Sequence, residues 1–186
     1  MAAKSTGSNV ILGVTGSIAA YKTASIVREL VARGHAVQVV MTASACKLVG
    51  PPTFRALSGR PVVTEMFAGD AAANMPHIEL ANWAHALAVA PATANFLGKA
   101  ANGIADDVLS CTWMACDCPK VLAPAMNDRM WASPAVQRNY EWLRALPGVA
   151  FVGPVEGRLA SGRVGMGHMA AVEDVVAAID AAARAR

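Results

Sequence analysis

Two short segments of this chain carry side chains suited to acid–base chemistry and to carboxylate binding. His77 lies in the segment MPHIEL (75–80), and Asn127 lies some fifty residues later in PAMN (124–127). An imidazole titrates near neutral pH, so it can accept a proton from a substrate. An amide can donate a hydrogen bond to a substrate carboxylate without the cost of burying a second charge. A lone histidine beside a proline is more often a surface or cap residue, so the rest of the chain has to support a catalytic role.

Glycine and hydroxyl side chains follow two predicted strands, in turns that suit a phosphate. The turn GSI (16–18) opens a predicted helix, where free backbone N–H groups and the helix dipole favour an anion. The turn TAS (42–44) adds two hydroxyl groups at the end of the next strand. The first turn is neither a P-loop nor a GxGxxG dinucleotide turn. A phosphate monoester is the ligand that we expect, although an ordinary helix cap would also explain Ser17.

These candidate residues follow apolar runs of strand length, which alternate with segments of helical periodicity. A helix is predicted over 18–33, where apolar residues recur at helical spacing and Gly34 ends the pattern. The predicted strands are 9–15, 36–41, 86–90, 120–123 and 149–152, and an Ala-rich helix is predicted from Val172 onward. Strands alternating with helices imply right-handed crossovers and a parallel sheet covered on both faces. We therefore predict an α/β fold, a three-layer, doubly wound parallel sheet of Rossmann-like or flavodoxin-like type, with ligands beyond the carboxyl ends of the strands.

The motifs together resemble those of the flavin-containing cysteine decarboxylases. The resemblance rests on 16–18, 42–44, 75–80 and 124–131, and on the segment 90–107, which is similar to the second flavin-binding segment of that family. It extends from Val10 to about Asp174 and implies FMN as the cofactor. The implied flavin contacts are Gly16, Ser17, Ile18, Thr42 and Ser44 with the phosphate, and Thr93, Asn95, Asn102, Ala105 and Asp106 with the rest of the cofactor. A turn and a helix cap would also explain Asn102 and Asp106.

The same resemblance assigns roles to the candidate catalytic residues. A histidine at the position of His77 is the catalytic base of the family, and an asparagine at the position of Asn127 binds the cysteine carboxylate that leaves as carbon dioxide. Met126, Met130, Trp131 and Ser161 would join Asn127 in the substrate-binding walls. The family assembles as trimers with the flavin between neighbouring subunits. This chain is therefore expected to form a homo-oligomer, either a trimer or a dodecamer built from trimers.

One departure from the family pattern bears on the reaction. The segment 153–170 is similar to a mobile substrate clamp, but it has Ala-Ser-Gly-Arg at 160–163 where phosphopantothenoylcysteine decarboxylases have Ala-Cys-Gly-Asp. In those enzymes the Cys thiol protonates the intermediate that is left after decarboxylation. A thiol has a reference pKa of about 8.5, whereas a Ser hydroxyl is far less acidic. Ser161 therefore predicts a reaction that stops at the enethiol.

Three functions are compatible with these observations. The leading hypothesis is FMN-dependent oxidative decarboxylation of the C-terminal cysteine of a precursor peptide to an enethiol, a step toward aminovinyl-cysteine rings in ribosomal peptide natural products. The first alternative is a phosphopantothenoylcysteine decarboxylase of coenzyme A biosynthesis, with a substitute proton donor such as His168 or with an engineered Cys-to-Ser change. The second alternative is a non-catalytic flavin-binding regulatory subunit, against which the presence of both His77 and Asn127 argues.

Composition limits the remaining possibilities. The chain has 186 residues, 55% of them apolar and 16% charged, which suits one domain over 1–186. A net charge of +3 without a Lys/Arg run makes nucleic acid or an anionic membrane a poor partner. The apolar run 10–14 is too short for a signal peptide or a membrane span, so we expect a cytoplasmic protein. Cys111, Cys116 and Cys118 lack paired CxxC spacing and a neighbouring histidine, so we expect buried thiols and no metal site.

Overall fold

The computed structural model describes residues 7–67, 75–158 and 162–185 and contains a five-stranded parallel sheet with helices on both faces. The strands of this sheet are β1 (Asn9–Val14), β2 (Ala36–Met41), β3 (Ala86–Ala92), β4 (Lys120–Pro124) and β5 (Val149–Phe151), in the spatial order β2-β1-β3-β4-β5. The helices are α1 (Lys22–Ala32), α2 (Ala43–Cys46), α3 (Pro51–Ser58), α4 (Pro76–Trp83), α5 (Ala94–Asn102), α6 (Val108–Ala115), α7 (Asp128–Trp131), α8 (Pro134–Arg144) and α9 (Val172–Arg184). An antiparallel hairpin, β6 (Val155–Arg158) and β7 (Val164–His168), follows β5. The predicted doubly wound α/β fold is confirmed.

The strands of the sheet are mostly buried apolar runs, as expected where both faces are covered. β2 has its predicted bounds, and the other predicted strands differ from the observed ones by one or two residues at their ends. Within the sheet, Ile11 of β1 pairs with Gln38 of β2 on one side and with Leu87 of β3 on the other. The chain order therefore changes direction between β1 and β3, the switch point where ligands of such sheets bind.

Two local features differ from the predictions and matter for the site. The helix predicted over 18–33 begins as a 3-10 turn at Ile18 and becomes a regular α-helix only at Lys22. The segment 153–170, predicted as a loop, contains the β6–β7 hairpin. Its glycine content hid these strands from sequence analysis, since glycine is depleted in strand interiors.

Two apolar clusters, one on each face of the sheet, hold the helices in place. They include the buried side chains Ile26, Phe54 and Ile179 from α1, α3 and α9 on one face, and Phe96, Leu109 and Leu143 from α5, α6 and α8 on the other. None of the described helices combines the length and the apolar character that crossing a bilayer requires. With both faces covered, the ends of the strands are the part of the sheet that is open to a ligand.

Buried hydroxyl groups join β1, α1 and β3 near the carboxyl ends of the strands. Thr15 donates a hydrogen bond to the Pro91 carbonyl (2.6 Å) and accepts one from the Thr93 N–H (3.1 Å). Thr23 donates to the Ala90 carbonyl at 2.6 Å. A buried polar group that loses its partner costs free energy, so these contacts fix the turns after β1 and β3 relative to each other.

A glycine on β1 controls how closely α6 approaches the sheet. A Cβ atom on Gly13 would lie 2.6 Å from Leu109 Cδ1, which is too close for van der Waals contact. We expect Gly13→Ala to lower the free energy of unfolding by about 1–3 kcal/mol, because overpacking displaces the helix. Chemical denaturation of the variant measures this change.

Two further variants test whether the steric overlap with Leu109 causes the expected loss of stability. A Cβ atom on Gly98 of α5 would lie 3.7 Å from Asn139 Nδ2, an ordinary contact. Gly98→Ala should therefore be neutral or stabilising, by up to about 1 kcal/mol. The penalty of Gly13→Ala should shrink in a Leu109→Ala background, which removes the clashing atoms but itself costs about 2–5 kcal/mol. A penalty of the same size in both backgrounds would contradict the steric explanation.

Candidate active site

Four polar helix caps meet at the carboxyl edge of the sheet. The turns after β1, β2, β3 and β4 each contain the residue that caps the next helical segment, and these residues are Ser17, Thr42, Thr93 and Asn127. All four line a cavity of about 940 Å³. Because parallel strands direct their carboxyl ends to the same edge, turns that are far apart in the sequence converge on one site.

Most of the residues that the sequence predicts as cofactor or substrate contacts lie on the wall of this cavity. They are Gly16, Ser17, Ile18, Thr42, Ser44, Thr93, Asn95, Met126, Asn127 and Met130. The first and the last are more than one hundred positions apart in the sequence. The fold thus brings them together, while their contacts with a ligand stay a prediction.

The two hydroxyl-bearing turns lie against each other at one end of the cavity. A Cβ atom on Gly16 would be only 2.5 Å from Ser44 Cβ, so a side chain at position 16 would push the turns apart. The Thr42 N–H donates to the Val14 carbonyl at 3.1 Å, which joins the second turn to the end of β1. Ser17, Thr42 and Ser44 thereby bring three hydroxyl groups to the cavity wall. Hydroxyl and backbone donors of this kind suit a phosphate group.

An ion-pair network forms another part of the wall. Lys99 Nζ lies 2.6 Å from Asp106 Oδ1 and 2.7 Å from Asp107 Oδ2. Burial by itself would lower the pKa of Lys99, but the hydrogen bonds to Asp106 and Asp107 have the larger combined effect. The pKa of Lys99 is therefore raised. Burial by itself would raise the pKa of Asp107, but hydrogen bonds from Lys99 and Ser110 have the larger effect and lower it. Both groups are therefore charged at neutral pH, and of the two carboxylates Asp107 is the one that lines the cavity.

The β6–β7 hairpin closes the cavity beside α7. The Met126 N–H donates to the Gly167 carbonyl at 3.0 Å. Gly167 has a φ of 140°, and a Cβ atom there would lie 2.3 Å from the Met126 carbonyl oxygen, so the close approach requires glycine. Arg163 Nη2 lies 3.5 Å from Asp128 Oδ2. Arg163 thus connects the hairpin to α7.

Two basic side chains meet where the hairpin lies next to the start of α1. Lys22 Nζ is 2.7 Å from His168 Nε2, and both residues line the cavity. Sequence analysis considered His168 only as an alternative proton donor and missed Lys22. A lysine at the start of the helix that follows a Gly-Ser turn is the signal that could have identified it. The other cavity residues that it missed include Thr15, Tyr21, Lys99, Asp107 and Arg158.

His77, the predicted base, does not line the cavity of its own chain. It lies near the start of α4, which packs against α6. The side chain is half-buried, and its Nδ1 atom has no hydrogen-bond partner among the described residues. The cavity wall and this imidazole are therefore separate features of the isolated chain.

The remaining predicted contacts also lie away from the cavity wall or outside the described residues. Asn102 donates to the Gly98 carbonyl at 2.7 Å, at the end of α5. Trp131 packs edge to face against Tyr140, with ring centroids 5.1 Å apart. Ala105 and Asp106 belong to the exposed turn between α5 and α6, and Ser161 lies outside the described residues. The turn that holds Ala105 and Asp106 begins where α5 ends at Gly103, whose φ of 69° terminates the helix.

The cysteines of the 111–118 segment differ in their surroundings. Cys116 and Cys118 are buried, and a hydrogen bond with Cys118 together with burial raises the pKa of Cys116. Cys111 is half-buried and donates to the Ala105 carbonyl at 3.2 Å. Within the described ranges there is no group of three His, Cys, Asp or Glu side chains arranged to hold a metal ion. Cys116 is thus a protonated packing group at neutral pH.

Sequence relatives give an independent view of the chain. A family model described as Flavoprotein matches residues 2–184. The coenzyme A biosynthesis bifunctional protein CoaBC of Bacillus subtilis (strain 168) is 47% identical over 168 residues, which cover 90% of this chain and 41% of the relative. The chain therefore spans about two fifths of the length of this curated relative.

Solved structures agree with the family match. The FMN-dependent cysteine decarboxylase SpaF superposes with a TM-score of 0.83 at 37% identity, over 96% of this chain and 98% of that chain. A mutant PPC decarboxylase complexed with pantothenoylaminoethenethiol superposes with a TM-score of 0.81 at 31% identity, over 93% of this chain and 96% of that chain. The family predicted from the sequence motifs is thus confirmed, and this chain belongs to the flavoprotein family.

Proposed function

We propose that this protein is an FMN-dependent cysteine decarboxylase and that its substrate is phosphopantothenoylcysteine, an intermediate of coenzyme A synthesis. The observation that carries the proposal is the 47% identity to CoaBC across 90% of the chain. This choice reverses the order of the hypotheses drawn from the sequence, because the relatives favour the first alternative over the peptide enzyme. The relatives also favour an enzyme over a regulatory subunit.

The cavity residues suit FMN. The close approach of Gly16 to Ser44 leaves the hydroxyl groups of Ser17, Thr42 and Ser44 at one end, where they can bind the phosphate. Thr93 and Asn95 lie on the adjoining wall, where they can contact the ribityl chain or the ring. When bound there, FMN supplies the acceptor for the two electrons that leave the cysteine side chain before carbon dioxide is lost.

Asn127 is the residue that we assign to the substrate carboxylate. Its Oδ1 atom accepts a hydrogen bond from the Arg129 N–H at 3.0 Å, as the cap of α7. This bond fixes the orientation of the amide, so the Nδ2 donors are available to an anion in the cavity. A carboxylate held by neutral donors keeps its charge and can leave as carbon dioxide.

The variant Asn127→Asp distinguishes the binding of the substrate carboxylate from the capping of α7. Aspartate caps a helix as well as asparagine does, so the thermal stability should be unchanged. We expect kcat/KM to fall about 10²-fold or more, because a second carboxylate repels that of the substrate by several kcal/mol. Steady-state kinetics and thermal unfolding of the same preparation measure both quantities. Activity near the wild-type level would remove Asn127 from the carboxylate site.

We infer that His77 acts in the site of a neighbouring copy of this chain. The cavity wall exposes large apolar side chains, with Ile18 63%, Tyr21 62% and Met130 50% exposed. Clustered apolar side chains at a cavity mouth are typical of a surface that a partner covers. A second copy in a homo-oligomer, which we take to be a trimer, would cover them and bring its α4 and His77 to the site.

Mixed oligomers test this arrangement. His77→Asn and Asn127→Asp should each reduce turnover about 10²-fold or more when produced alone. Co-production should restore activity at about a quarter of the sites, since random mixing places an intact Asn127 beside an intact neighbouring His77 at that frequency. Co-production of Asn127→Asp with Asn127→Ala is the matched control and should restore nothing. Absence of any recovery in the first mixture would place His77 in the site of its own chain or outside catalysis.

Oxidative decarboxylation of a C-terminal peptidyl cysteine is the second candidate. It is supported by Ser161, whose hydroxyl is a poor proton donor, and by the 37% identity to the cysteine decarboxylase SpaF over 98% of that chain. The two candidates differ in the fate of the product. The first returns two protons and two electrons to the product, giving the saturated thiol, whereas the second releases an enethiol and requires an external oxidant.

Mass spectrometry of the products tests the choice. The flavin-loaded protein is incubated separately with phosphopantothenoylcysteine and with a peptide ending in cysteine. Loss of carbon dioxide alone from phosphopantothenoylcysteine is the result that we expect. Loss of carbon dioxide and two hydrogen atoms from the peptide would favour the second candidate. No change in either substrate would contradict both.

A further inference from the structure

We propose that Lys22 and His168 form the proton-donor pair that protonates the carbon left by carbon dioxide, which lets the reaction end at the saturated thiol. The inference rests on the proposed function, because it names the acid that such a decarboxylase requires. It concerns two residues that meet only in the folded chain. Lys22 begins α1, and His168 ends β7.

The contact between the two side chains provides a proton that can be shared. Lys22 Nζ and His168 Nε2 are 2.7 Å apart, the distance of a strong hydrogen bond. An ammonium can donate to a neutral imidazole and can pass its proton to the ring nitrogen, so either nitrogen can carry the proton that is delivered. Both side chains line the cavity in which we propose that the substrate binds.

The backbone brings β7, which ends at His168, close to Asn127, the residue that we assign to the substrate carboxylate. The residue before His168 is Gly167, whose carbonyl accepts a hydrogen bond from the Met126 N–H at 3.0 Å. A Cβ atom on Gly167 would lie 3.4 Å from the carbonyl carbon of Asn127, so β7 lies directly against the Met126–Asn127 segment. The backbone of β7 thus lies next to that of Asn127, and both His168 and Asn127 line the same cavity, so we place the decarboxylated carbon between these two side chains.

The imidazole is held in place by the hairpin itself. A Cβ atom on Gly157 would lie 2.9 Å from His168 Cγ and 3.3 Å from its Nδ1, which shows that the ring packs over the bare backbone of β6. A glycine at this position leaves the space that the ring occupies. The hairpin therefore orients Nε2 toward Lys22 and the cavity.

The other acidic groups of the described cavity wall are less suited to the task. Asp107 has a lowered pKa and is ionised, and Lys99 is held in its charged form by Asp106 and Asp107. The guanidinium of Arg158 does not release a proton in proteins. Tyr21 is 62% exposed, so its phenol is not packed in place as the ring of His168 is. The hydroxyl of Ser161, outside the described residues, is far less acidic than an imidazolium.

The proposed step balances without an external reagent. The N–H bond of the pair breaks and a C–H bond forms at the carbon that carried the carboxylate. The electron pair for the new bond comes from the C=C bond of the enethiolate, and the sulfur electrons form C=S. The two electrons removed earlier from the substrate then return to this thioaldehyde together with a proton, giving the thiol. Solvent restores the proton of the pair.

His168→Asn tests the proposal through the ratio of products. Wild-type protein is expected to convert phosphopantothenoylcysteine mainly to the saturated thiol. The variant should still release carbon dioxide, but its ratio of saturated thiol to enethiol should fall about 10²-fold, the usual contribution of a general acid. Mass spectrometry gives the ratio, and the absorbance of bound flavin reports whether the site has stayed intact.

Lys22→Gln provides a second variant, and His85→Asn provides the matched control. His85 lies at the amino edge of the sheet, where its Nδ1 accepts from the Asn9 N–H at 3.2 Å. The same His-to-Asn exchange there should leave the ratio unchanged. Lys22→Gln should lower it as His168→Asn does. Ser161→Cys in the His168→Asn background should restore the saturated thiol, because a thiol is a competent acid.

The outcomes separate this inference from the proposed function. An unchanged ratio in His168→Asn and in Lys22→Gln would overturn the donor pair while leaving the decarboxylase in place. Wild-type protein that releases only enethiol would also overturn the pair and would favour the peptide enzyme. Wild-type protein that does not decarboxylate either substrate would overturn both proposals.

Discussion

The site depends on the alignment of parallel strands around the switch between β1 and β3. Parallel pairing sends four successive strand ends to one edge, and each end continues into a turn with a polar capping residue. The buried hydroxyl of Thr15 joins the two turns at the switch by hydrogen bonds to Pro91 and Thr93. Without this alignment, hydroxyl groups from different parts of the chain would not converge on a phosphate-sized site.

Close backbone approaches complete the cavity, and glycine permits them. Gly16 lets the first turn lie on Ser44, and Gly167 lets the hairpin lie on Met126. The same residues that weaken local strand and helix propensity are thus the ones that shape the binding site. The hairpin also brings basic side chains to the cavity wall, so it defines chemistry as well as shape.

The product of the proposed reaction depends on whether the decarboxylated carbon receives a proton. The proposed binding of the substrate carboxylate by Asn127 and the removal of electrons by a flavin are common to both candidate reactions, so they define the class of reaction but not its product. The presence or absence of a competent acid beside the decarboxylated carbon decides between a saturated thiol and an enethiol. A serine at position 161 argues for the enethiol, whereas the Lys22–His168 contact offers an acid from another part of the chain.

The sequence alone determined the α/β fold, most strand positions and the family, because buried strands and post-strand turns leave local signals in composition and spacing. It also named ten residues that line the cavity, from Gly16 to Met130. Only the tertiary structure showed that His77 lies away from the cavity of its own chain, and only it paired Lys22 with His168 across 146 positions. Such contacts depend on the packing of α4 and on the approach of the hairpin to α1. No local pattern records them, because they arise from the relative placement of elements that are distant in the sequence.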